Sequence, residues 1–174
     1  MNVLVNSAGF GLPLAFERND IEDEARHLRP HVEVPVRPMH TAQPSMLERR
    51  SGTILNIASA SAAMPRSTYG AVKSWQVQFS RWANGAYRPR GVTVTAVRPG
   101  YTHTDSHARL GLPRGEEGIP DWLWLEAPRV VEESLRHAGR GKAVSVPSKR
   151  YKAIWTVSQL VPSGLMARLA AQGR

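Results

Sequence analysis

Three short segments rich in Val, Ile, Leu and Thr recur along the chain, with stretches of helical length between them. They are NVLVN (2–6), GTILNIAS (52–59) and GVTVTAVRP (91–99). Each ends in small or turn-forming residues, which is typical of strands buried in a parallel sheet. The resulting β-α-β-α-β order predicts an α/β domain with a mostly parallel sheet.

A weaker fourth strand is predicted at KAVSVP (142–147), after the helical segment APRVVEESLRHAG (127–139). Pro128 suits the first turn of that helix, and Gly139 suits a C-terminal cap. The helix before the third strand carries an apolar stripe, which predicts packing against the sheet or against a partner helix. The stripe consists of Val72, Trp75, Phe79, Trp82 and Ala86.

The segment STYGAVKSW (67–75) places Tyr69 and Lys73 four positions apart. On a helix the two side chains share one face. A cation within about 4–6 Å of a phenol can lower its pKa by roughly 1–3 units from about 10, so that the tyrosine exchanges a proton with an alcohol or a carbonyl. The same spacing is common on ordinary helix surfaces, so the spacing alone leaves both interpretations open.

Turn-forming or hydroxyl residues follow the ends of all three predicted strands. They are NSAG (6–9), Ser59 and Pro99-Gly100. Because the carboxyl ends of parallel strands form the ligand-binding edge of an open α/β sheet, these residues are predicted to line one site together with Tyr69.

With these motifs in this order, the chain resembles the short-chain dehydrogenase/reductase family. The motifs are NSAG, the serine of NIASASA, YGAVK (69–73) and RPGYTHT (98–104). The resemblance extends from Met1 to at least the VSVP strand. It implies a Rossmann-like, doubly wound parallel sheet, of which this chain holds strands 4-5-6-7 in the family order.

The resemblance also implies roles for individual residues. Tyr69 is expected to be the catalytic acid/base, Lys73 to lower its pKa and hold the cofactor ribose, and Ser59 to bind the substrate oxygen. The implied reaction is hydride transfer between NAD or NADP and an alcohol or carbonyl compound, which the Trp-rich loop suggests is apolar. The residues expected at the cofactor are Asn6, Ala8, Gly9, Tyr69, Lys73, Pro99, Gly100, Thr102 and Thr104.

The chain departs from the family at its front, where the glycine-rich turn that cradles the cofactor pyrophosphate is missing. Two β-α units, about 70–80 residues at roughly 30 per unit, are expected to be absent. We therefore predict an N-terminally truncated, single incomplete domain over 1–174, with a substrate loop at 101–128 and a C-terminal extension at 148–174. The first strand would then be a bare edge, which favours pairing with another chain.

The helix between the first two strands is the second departure. His31 stands where the family usually has an asparagine that helps to hold a relay water; it could relay protons or reflect drift without function. Pro30, Pro35 and Pro38 fall in the same helix. An interior proline costs about 3 kcal/mol, so a break or kink is predicted near Pro30.

The net charge of +9 permits binding to phosphates, but the arginines are dispersed without a basic stripe, which favours a solvated surface over nucleic-acid binding. Zero cysteines exclude a disulfide framework and thiolate metal sites.

His103 and His107 in HTDSH lack a partner glutamate, so no metal site is predicted. The string GLPRGEEG (111–118) follows no strand and is predicted to be a mobile loop rather than a phosphate cradle.

No basic n-region opens the chain, and no apolar run approaches the roughly 18–20 residues of a membrane span, so a cytoplasmic protein is predicted. Trp122 and Trp124 are expected either to cover an apolar substrate pocket or to pack on the sheet. The helix 69–87 is implied by the resemblance as a contact between identical subunits. The alternative function is a catalytically inactive remnant that pairs with a full-length relative.

Overall fold

The computed structural model describes residues 1–13, 15–64, 67–104 and 118–160, with the side chains of 158–160 excepted. The predicted loop at 111–118, His107 and the end of the C-terminal extension therefore lie outside the described residues, apart from Gly118. Within them, the predicted α/β class with a parallel sheet is confirmed.

Four parallel strands form the main sheet in the order β1-β2-β3-β6. They are β1 (Val3–Asn6), β2 (Gly52–Ile57), β3 (Val92–Val97) and β6 (Val144–Ser145). Leu4 is in register with Ile54, and Ile54 with Val94. The short strands β4 (Thr102–His103) and β5 (Leu125–Glu126) pair separately in parallel. All four predicted strands are thus present, although β6 is only two residues long.

Helices cover both faces of the sheet because strand side chains alternate between the two faces. On one face, Ile54 and Val94 pack against Met46 of α2 (Val34–Glu48) and Ala83 of α3 (Thr68–Tyr87). On the other face, Leu55 packs with Ala138 of α4 (Ala127–Gly139). A final helix, α5 (Lys149–Leu160), follows β6.

The predicted irregularity near Pro30 takes the form of a π-helical turn. The helix α1 (Ile21–Leu28) continues through this turn (Arg29–Glu33) directly into α2. A π turn is a common solution where the regular hydrogen-bond ladder is disrupted, and it is frequent at functional sites. The chain is therefore not broken at Pro30, and His31 lies inside the π turn.

The structure refines two details of the predicted helices. The sheet-facing side of α3 consists mainly of Val72, Gln76, Val77, Ser80 and Ala83, whereas Trp82 of the predicted stripe is 59% exposed. Val72 and Phe79 of the stripe thus pack inside the domain, whereas Trp82 is left for the second predicted use, contact with a partner helix. At the end of α4, the residue in the left-handed region is Gly141 (φ 72°) rather than Gly139.

Strand β1 is the edge of the sheet, as predicted. Val3 and Val5 point to the same face and are 49% and 52% exposed. This face of β1 is therefore about half exposed. An apolar strand edge of this kind is a template for pairing with another strand.

Candidate active site

The carboxyl ends of β1, β2 and β3 meet at one edge of the sheet, as predicted. Backbone hydrogen bonds hold the segments that follow β2 and β3 together: Ala58 N donates to Val97 O at 2.8 Å, and Ala60 N donates to Pro99 O at 2.8 Å. Ser59 lies between these two bonds. Its position relative to the Pro99-Gly100 turn is therefore fixed by main-chain contacts.

Ser59, Tyr69 and Lys73 come together at this edge. Ser59 shares a side-chain hydrogen bond with Tyr69, and its Oγ also accepts from Ser61 N at 3.1 Å. Lys73 Nζ lies 5.6 Å from the centre of the Tyr69 ring. Tyr69 stands in the first turn of α3, where Ser67 caps the helix by accepting from Gly70 N. Their roles in catalysis stay predictions.

Lys73 is buried, with an exposed fraction of 5%. Its Nζ donates to Ile57 O at 2.7 Å and to Gln76 Oε1 at 3.2 Å. Among the described residues, no carboxylate lies within ion-pair distance of this ammonium. Burial without a counter-charge lowers the pKa of Lys73 to about 8, so the amine is still mostly charged at pH 7.

The pKa of Tyr69 differs from the expectation. Burial raises this pKa above its ordinary value, and the hydrogen bond with Ser59 lowers it only in part. The expected lowering by Lys73 is not found, because the ammonium lies over the ring and is held by Ile57 and Gln76. Tyr69 is therefore a neutral phenol at pH 7 and is suited to donating a proton.

The NSAG turn after β1 is tied to the protein interior. Asn6 Nδ2 donates to Asn56 Oδ1 at 2.8 Å, and Asn56 Nδ2 donates to Ser80 Oγ at 2.9 Å. A Cβ atom at Gly9 would lie 2.3 Å from the His31 ring, so glycine is required there for the close approach of this side chain. Ala8 is exposed. The proposed cofactor contacts of Asn6, Ala8 and Gly9 remain predictions.

The Pro99-Gly100 turn is held by Tyr151 of α5. A Cβ atom at Gly100 would lie 1.8 Å from the Tyr151 ring, and Tyr151 Oη is 3.0 Å from the backbone nitrogen of Tyr101, from which it accepts. Thr102 Oγ1 donates to Gly100 O at 3.0 Å, and Thr104 is exposed. These residues shape the turn, and their contact with a cofactor is untested.

A buried cluster of titratable side chains lies behind Tyr69. Glu24 and His27 of α1 and His31 of the π turn are 5%, 0% and 1% exposed. The His27 and His31 ring centres are 4.5 Å apart, and they lie 6.0 Å and 5.6 Å from the centre of Tyr69. Gln76 connects the cluster to Lys73, because its Nε2 donates to His31 O at 2.9 Å.

Burial lowers the pKa of both imidazoles, with that of His31 at about 4, where Lys73 adds electrostatic repulsion. Both rings are therefore neutral at pH 7. His31 Nε2 lies 2.8 Å from the Phe10 carbonyl oxygen and 3.3 Å from the Phe10 backbone nitrogen, so the tautomer of the ring decides whether Nε2 donates to the oxygen or accepts from the N–H. On the other side of the cluster, Asn19 donates to Glu24 Oε1 at 2.7 Å.

A pocket opens beside Tyr69 and Glu24. Its lining consists of Leu12, Pro13, Phe16, Glu24, Ser67, Thr68 and Tyr69. The loop after β1 therefore supplies one wall, and the first turn of α3 supplies the other.

Sequence reasoning missed Glu24, His27, Asn56 and Gln76 at this site. Glu24, His27 and His31 stand at i, i+3 and i+7, which places all three on one helix face. That spacing is the signal that could have identified the cluster. Asn56 reads as an ordinary strand residue, and only the pairing of β1 with β2 reveals its contact with Asn6.

The histidine pair considered for a metal receives no support. His103 stacks on Trp124 with ring centres 4.6 Å apart, and His107 lies outside the described residues. No group of three potential metal ligands is found in the part of the chain that the structure describes. Trp124 thus packs against β4, whereas Trp122 is 57% exposed.

Comparison with known proteins gives the same family as the motifs. A family model described as short chain dehydrogenase matches residues 1–114, which is more than half of the chain. The chain belongs to the short-chain dehydrogenase family.

Individual relatives share a quarter to a third of their residues with the chain. It is 27% identical over 128 residues to a very-long-chain 3-oxoacyl-CoA reductase from Anas platyrhynchos, covering 70% of this chain and 41% of the relative. It is 31% identical over 113 residues to a 3-oxoacyl-[acyl-carrier-protein] reductase from Synechocystis sp., covering 63% of this chain and 46% of the relative. The chain thus spans less than half the length of these two relatives.

Solved structures confirm the fold. A short-chain dehydrogenase from Sphingobium yanoikuyae in complex with NADPH superposes with a TM-score of 0.79 at 26% identity, covering 96% of this chain and 65% of that one. A gluconate 5-dehydrogenase from Burkholderia cenocepacia in complex with NADP and tartrate gives a TM-score of 0.75 at 16% identity, covering 88% and 65%. Among the described residues, no helix is long and apolar enough to cross a membrane.

Proposed function

We propose that this chain carries the proton-transferring part of an NAD(P)-dependent oxidoreductase. The reaction is hydride transfer between a nicotinamide cofactor and an alcohol or carbonyl compound. The observation that carries the proposal is the hydrogen bond between Ser59 and Tyr69 beside the buried Lys73, at the carboxyl edge of the sheet. Membership of the short-chain dehydrogenase family and the NADPH found in a structural neighbour support it.

The donors at this edge suit the nicotinamide ribose. Lys73 is a buried ammonium held by two neutral oxygens, with no carboxylate nearby among the described residues, and such a cation can hydrogen-bond the hydroxyl groups of a sugar. Tyr69 and Ser59 add two hydroxyl groups at the same strand end. The proposal concerns the nicotinamide half of the cofactor and applies to NAD and NADP alike.

The chain's own residues would act on the substrate oxygen. During reduction, Ser59 donates a hydrogen bond to the carbonyl oxygen, and Tyr69 donates the proton that converts that oxygen into a hydroxyl group. Lys73 would hold the ribose through its ammonium group. The nicotinamide ring supplies the hydride when it is bound.

The proposed substrate is a carbonyl or alcohol group on an apolar molecule. The 3-oxoacyl reductases among the relatives reduce such a carbonyl by their names, and the exposed Trp122 offers an apolar surface at 57% exposure. The substrate proposal depends on the loop 101–128, of which residues 101–104 and 118–128 are described.

The experiment that tests the function is calorimetric titration of the chain with NADH and with NADPH. We expect saturable binding that is weakened by Lys73→Ala and retained by Tyr69→Phe, with Lys149→Ala, an exposed lysine of α5, as the matched control. A folded chain that takes up neither cofactor at millimolar concentration would contradict the proposal. That result would favour the inactive remnant, which pairs with a full-length relative.

Self-association through α3 is part of the proposal. Trp75, Phe79 and Trp82 form a continuous aromatic row with ring centres 5.3 Å and 5.5 Å apart, and Trp82 is 59% exposed. Exposed aromatic rows of this kind are enriched at protein interfaces. Sedimentation velocity should show a smaller species for Trp82→Lys than for Trp122→Lys. Equal behaviour of the two variants would contradict a contact through α3.

The cytoplasmic location remains a prediction from the sequence.

A further inference from the structure

Basic side chains gather at the amino edge of the main sheet, opposite the candidate active site. Because β2, β3 and β6 run parallel, the turns that precede them lie side by side at this edge. Each of the three turns carries two exposed basic residues. They are Arg49 and Arg50 before β2, Arg88 and Arg90 before β3, and Arg140 and Lys142 before β6. Cations that are dispersed along the sequence thus form one patch, which we call the basic edge.

Close contacts join the three turns of the basic edge into one surface. A Cβ atom at Gly91 would lie 2.0 Å from the Arg50 carbonyl oxygen, so the first two turns are in contact. A Cβ atom at Gly141 would lie 2.4 Å from Arg88 Nε, so the third turn lies against the second. Asn84 Nδ2 also donates to Gly141 O at 3.2 Å. The relative positions of the turns are therefore fixed by the sheet and its helices.

The charges of the basic edge are not neutralised by neighbouring carboxylates. None of its six basic side chains forms an ion pair with a described residue, and neither does Glu48 at the end of α2. Several exposed cations elsewhere do pair with carboxylates, as Arg26 does with Asp23 and Arg37 does with Glu33. Uncompensated positive charge concentrated at one end of a molecule favours an anionic partner.

The position and shape of the basic edge limit what this partner is. β2 is six residues long, and at about 3.3 Å per residue it separates the two edges of the sheet by roughly 20 Å, so the cations do not reach a substrate at Tyr69. In the described part of the chain, this edge is made of short turns between helix ends and strand starts. Such turns offer no helix or β-ribbon that could enter a nucleic-acid groove. They suit a flat surface of anionic groups.

We propose that the basic edge binds the surface of a membrane that contains anionic lipids, with the candidate active site facing away from the bilayer. Clusters of about 4–8 Lys and Arg are typical of sites for anionic lipids. The lipid phosphates and carboxylates would accept hydrogen bonds from the guanidinium groups. The inference does not depend on the proposed oxidoreductase activity, because no residue of that site takes part.

The test is sedimentation of the intact chain with lipid vesicles, without cofactor or substrate. We expect binding to vesicles of phosphatidylcholine with phosphatidylserine and none to vesicles of phosphatidylcholine alone. Because each Lys or Arg near an anionic surface strengthens binding roughly fivefold, Arg90→Gln with Lys142→Gln should weaken it by about 25-fold. Arg29→Gln with Arg37→Gln removes the same charge beside Glu33 and should weaken it much less. Equal weakening by the two pairs, or equal binding to both kinds of vesicle, would overturn the proposal.

Three further conditions distinguish a membrane surface from other anionic partners. Arg90→Lys with Arg140→Lys keeps the charge and should keep vesicle binding; a loss would overturn the proposal in favour of a site that needs the guanidinium fork. Duplex DNA at the same phosphate concentration should bind more weakly than the vesicles, and tighter binding would overturn the proposal in favour of nucleic acid. Salt should release the vesicles, because the screening length falls from about 10 Å at 0.1 M to about 3 Å at 1 M. Vesicle binding that persists in high salt would contradict an electrostatic contact.

The orientation of the docked chain is a measurement that needs no change of charge. The chain has no cysteine, so Ser51→Cys before β2 and Ala8→Cys after β1, both exposed positions, each accept a single spin label. We expect anionic vesicles to shield the label at position 51 from an aqueous relaxation agent and to leave the label at position 8 accessible. Shielding at position 8, or at neither position, would overturn the proposal.

Discussion

Two buried histidine clusters lie on opposite faces of the sheet, and they differ in how their polar atoms are satisfied. On the α4 face, His137 Nδ1 lies 2.8 Å from Ser145 Oγ and Nε2 lies 3.7 Å from Glu133 Oε1, and Glu133 also accepts from Lys152 at 2.8 Å. On the α1 face, His27 has no hydrogen-bond partner on either nitrogen, and His31 has none on Nδ1.

The difference separates a cluster whose polar atoms are satisfied from one whose polar atoms are not. The His137 ring is hydrogen-bonded at Nδ1 and faces a carboxylate at Nε2, as expected of a group that contributes to stability. The His27 and His31 rings lack such partners beside Tyr69 and Lys73, at the candidate active site. The predictions below test this contrast, from the largest expected effect to the smallest.

The largest effect is expected from His31 in acid. Its folded pKa of about 4 lies below the ordinary 6.5 of the unfolded chain. Between these values the unfolded state binds more protons, so stability is complete above pH 6.5 and falls as the pH drops toward 4. At 1.36 kcal/mol per pKa unit, the loss is about 3 kcal/mol. Denaturant unfolding at pH 4 and pH 7 should show this loss in the native chain.

The variant His31→Asn should reduce that loss, because the titrating group is gone, whereas His40→Asn should keep it in full. The lowered pKa of His27 acts in the same direction, so part of the acid dependence will remain in His31→Asn. Identical acid dependence in His31→Asn and the native chain would show that His31 is not buried as described.

Lys73 is expected to act at the alkaline end. Its folded pKa of about 8 lies below 10.5, so the unfolded chain binds more protons between these values and stability rises from pH 8 to 10.5. The expected gain is up to about 3 kcal/mol. Lys73→Met should abolish the rise, which unfolding at pH 8 and pH 10 would measure. A rise of the same size in Lys73→Met would assign the effect to another group.

A substitution at the exposed β1 edge should change stability less than the titration of His31 or Lys73 does. Val5 is 52% exposed, so Val5→Lys should change the free energy of unfolding by about 0.5 kcal/mol at most. A charge on an edge strand opposes pairing with other chains, so light scattering should show less self-association. Val157→Lys on α5, a position 61% exposed, is the matched control. Association that falls equally in both variants would attribute the effect to net charge.

Much of this architecture could be predicted from the sequence. Buried parallel strands are short apolar runs, and the alternation of such runs with helical segments leaves few possible sheet topologies. The positions of Ser59, Tyr69 and Lys73 at one edge followed from strand polarity. The stripe of α3 did not reveal that polar Gln76 and Ser80 also face inward, where Gln76 donates to the His31 carbonyl oxygen and Ser80 accepts from Asn56. Contacts between side chains far apart in the sequence carry no local signal.

The pKa of Tyr69 could not be predicted from the sequence for the same reason. The spacing to Lys73 suggested an ammonium close to the phenol, but the direction of the Lys73 side chain is decided by the Ile57 carbonyl and by Gln76. At the π turn (29–33), the sequence indicated the position of an irregularity but not its form. Pro30 signalled an irregular helix, but the sequence did not show that the helix continues through a π turn, where the His31 carbonyl oxygen accepts from Gln76 of α3.

The contrast between the two clusters is tested most directly by the free energies of unfolding of His27→Leu and His137→Leu at pH 7. Leu at position 27 removes two unpaired nitrogens, and we expect a stability equal to or above that of the native chain. Leu at position 137 leaves Ser145 without its partner and should cost about 1–3 kcal/mol. Equal destabilisation by both substitutions would contradict the account, because the His27 cluster would then be structural.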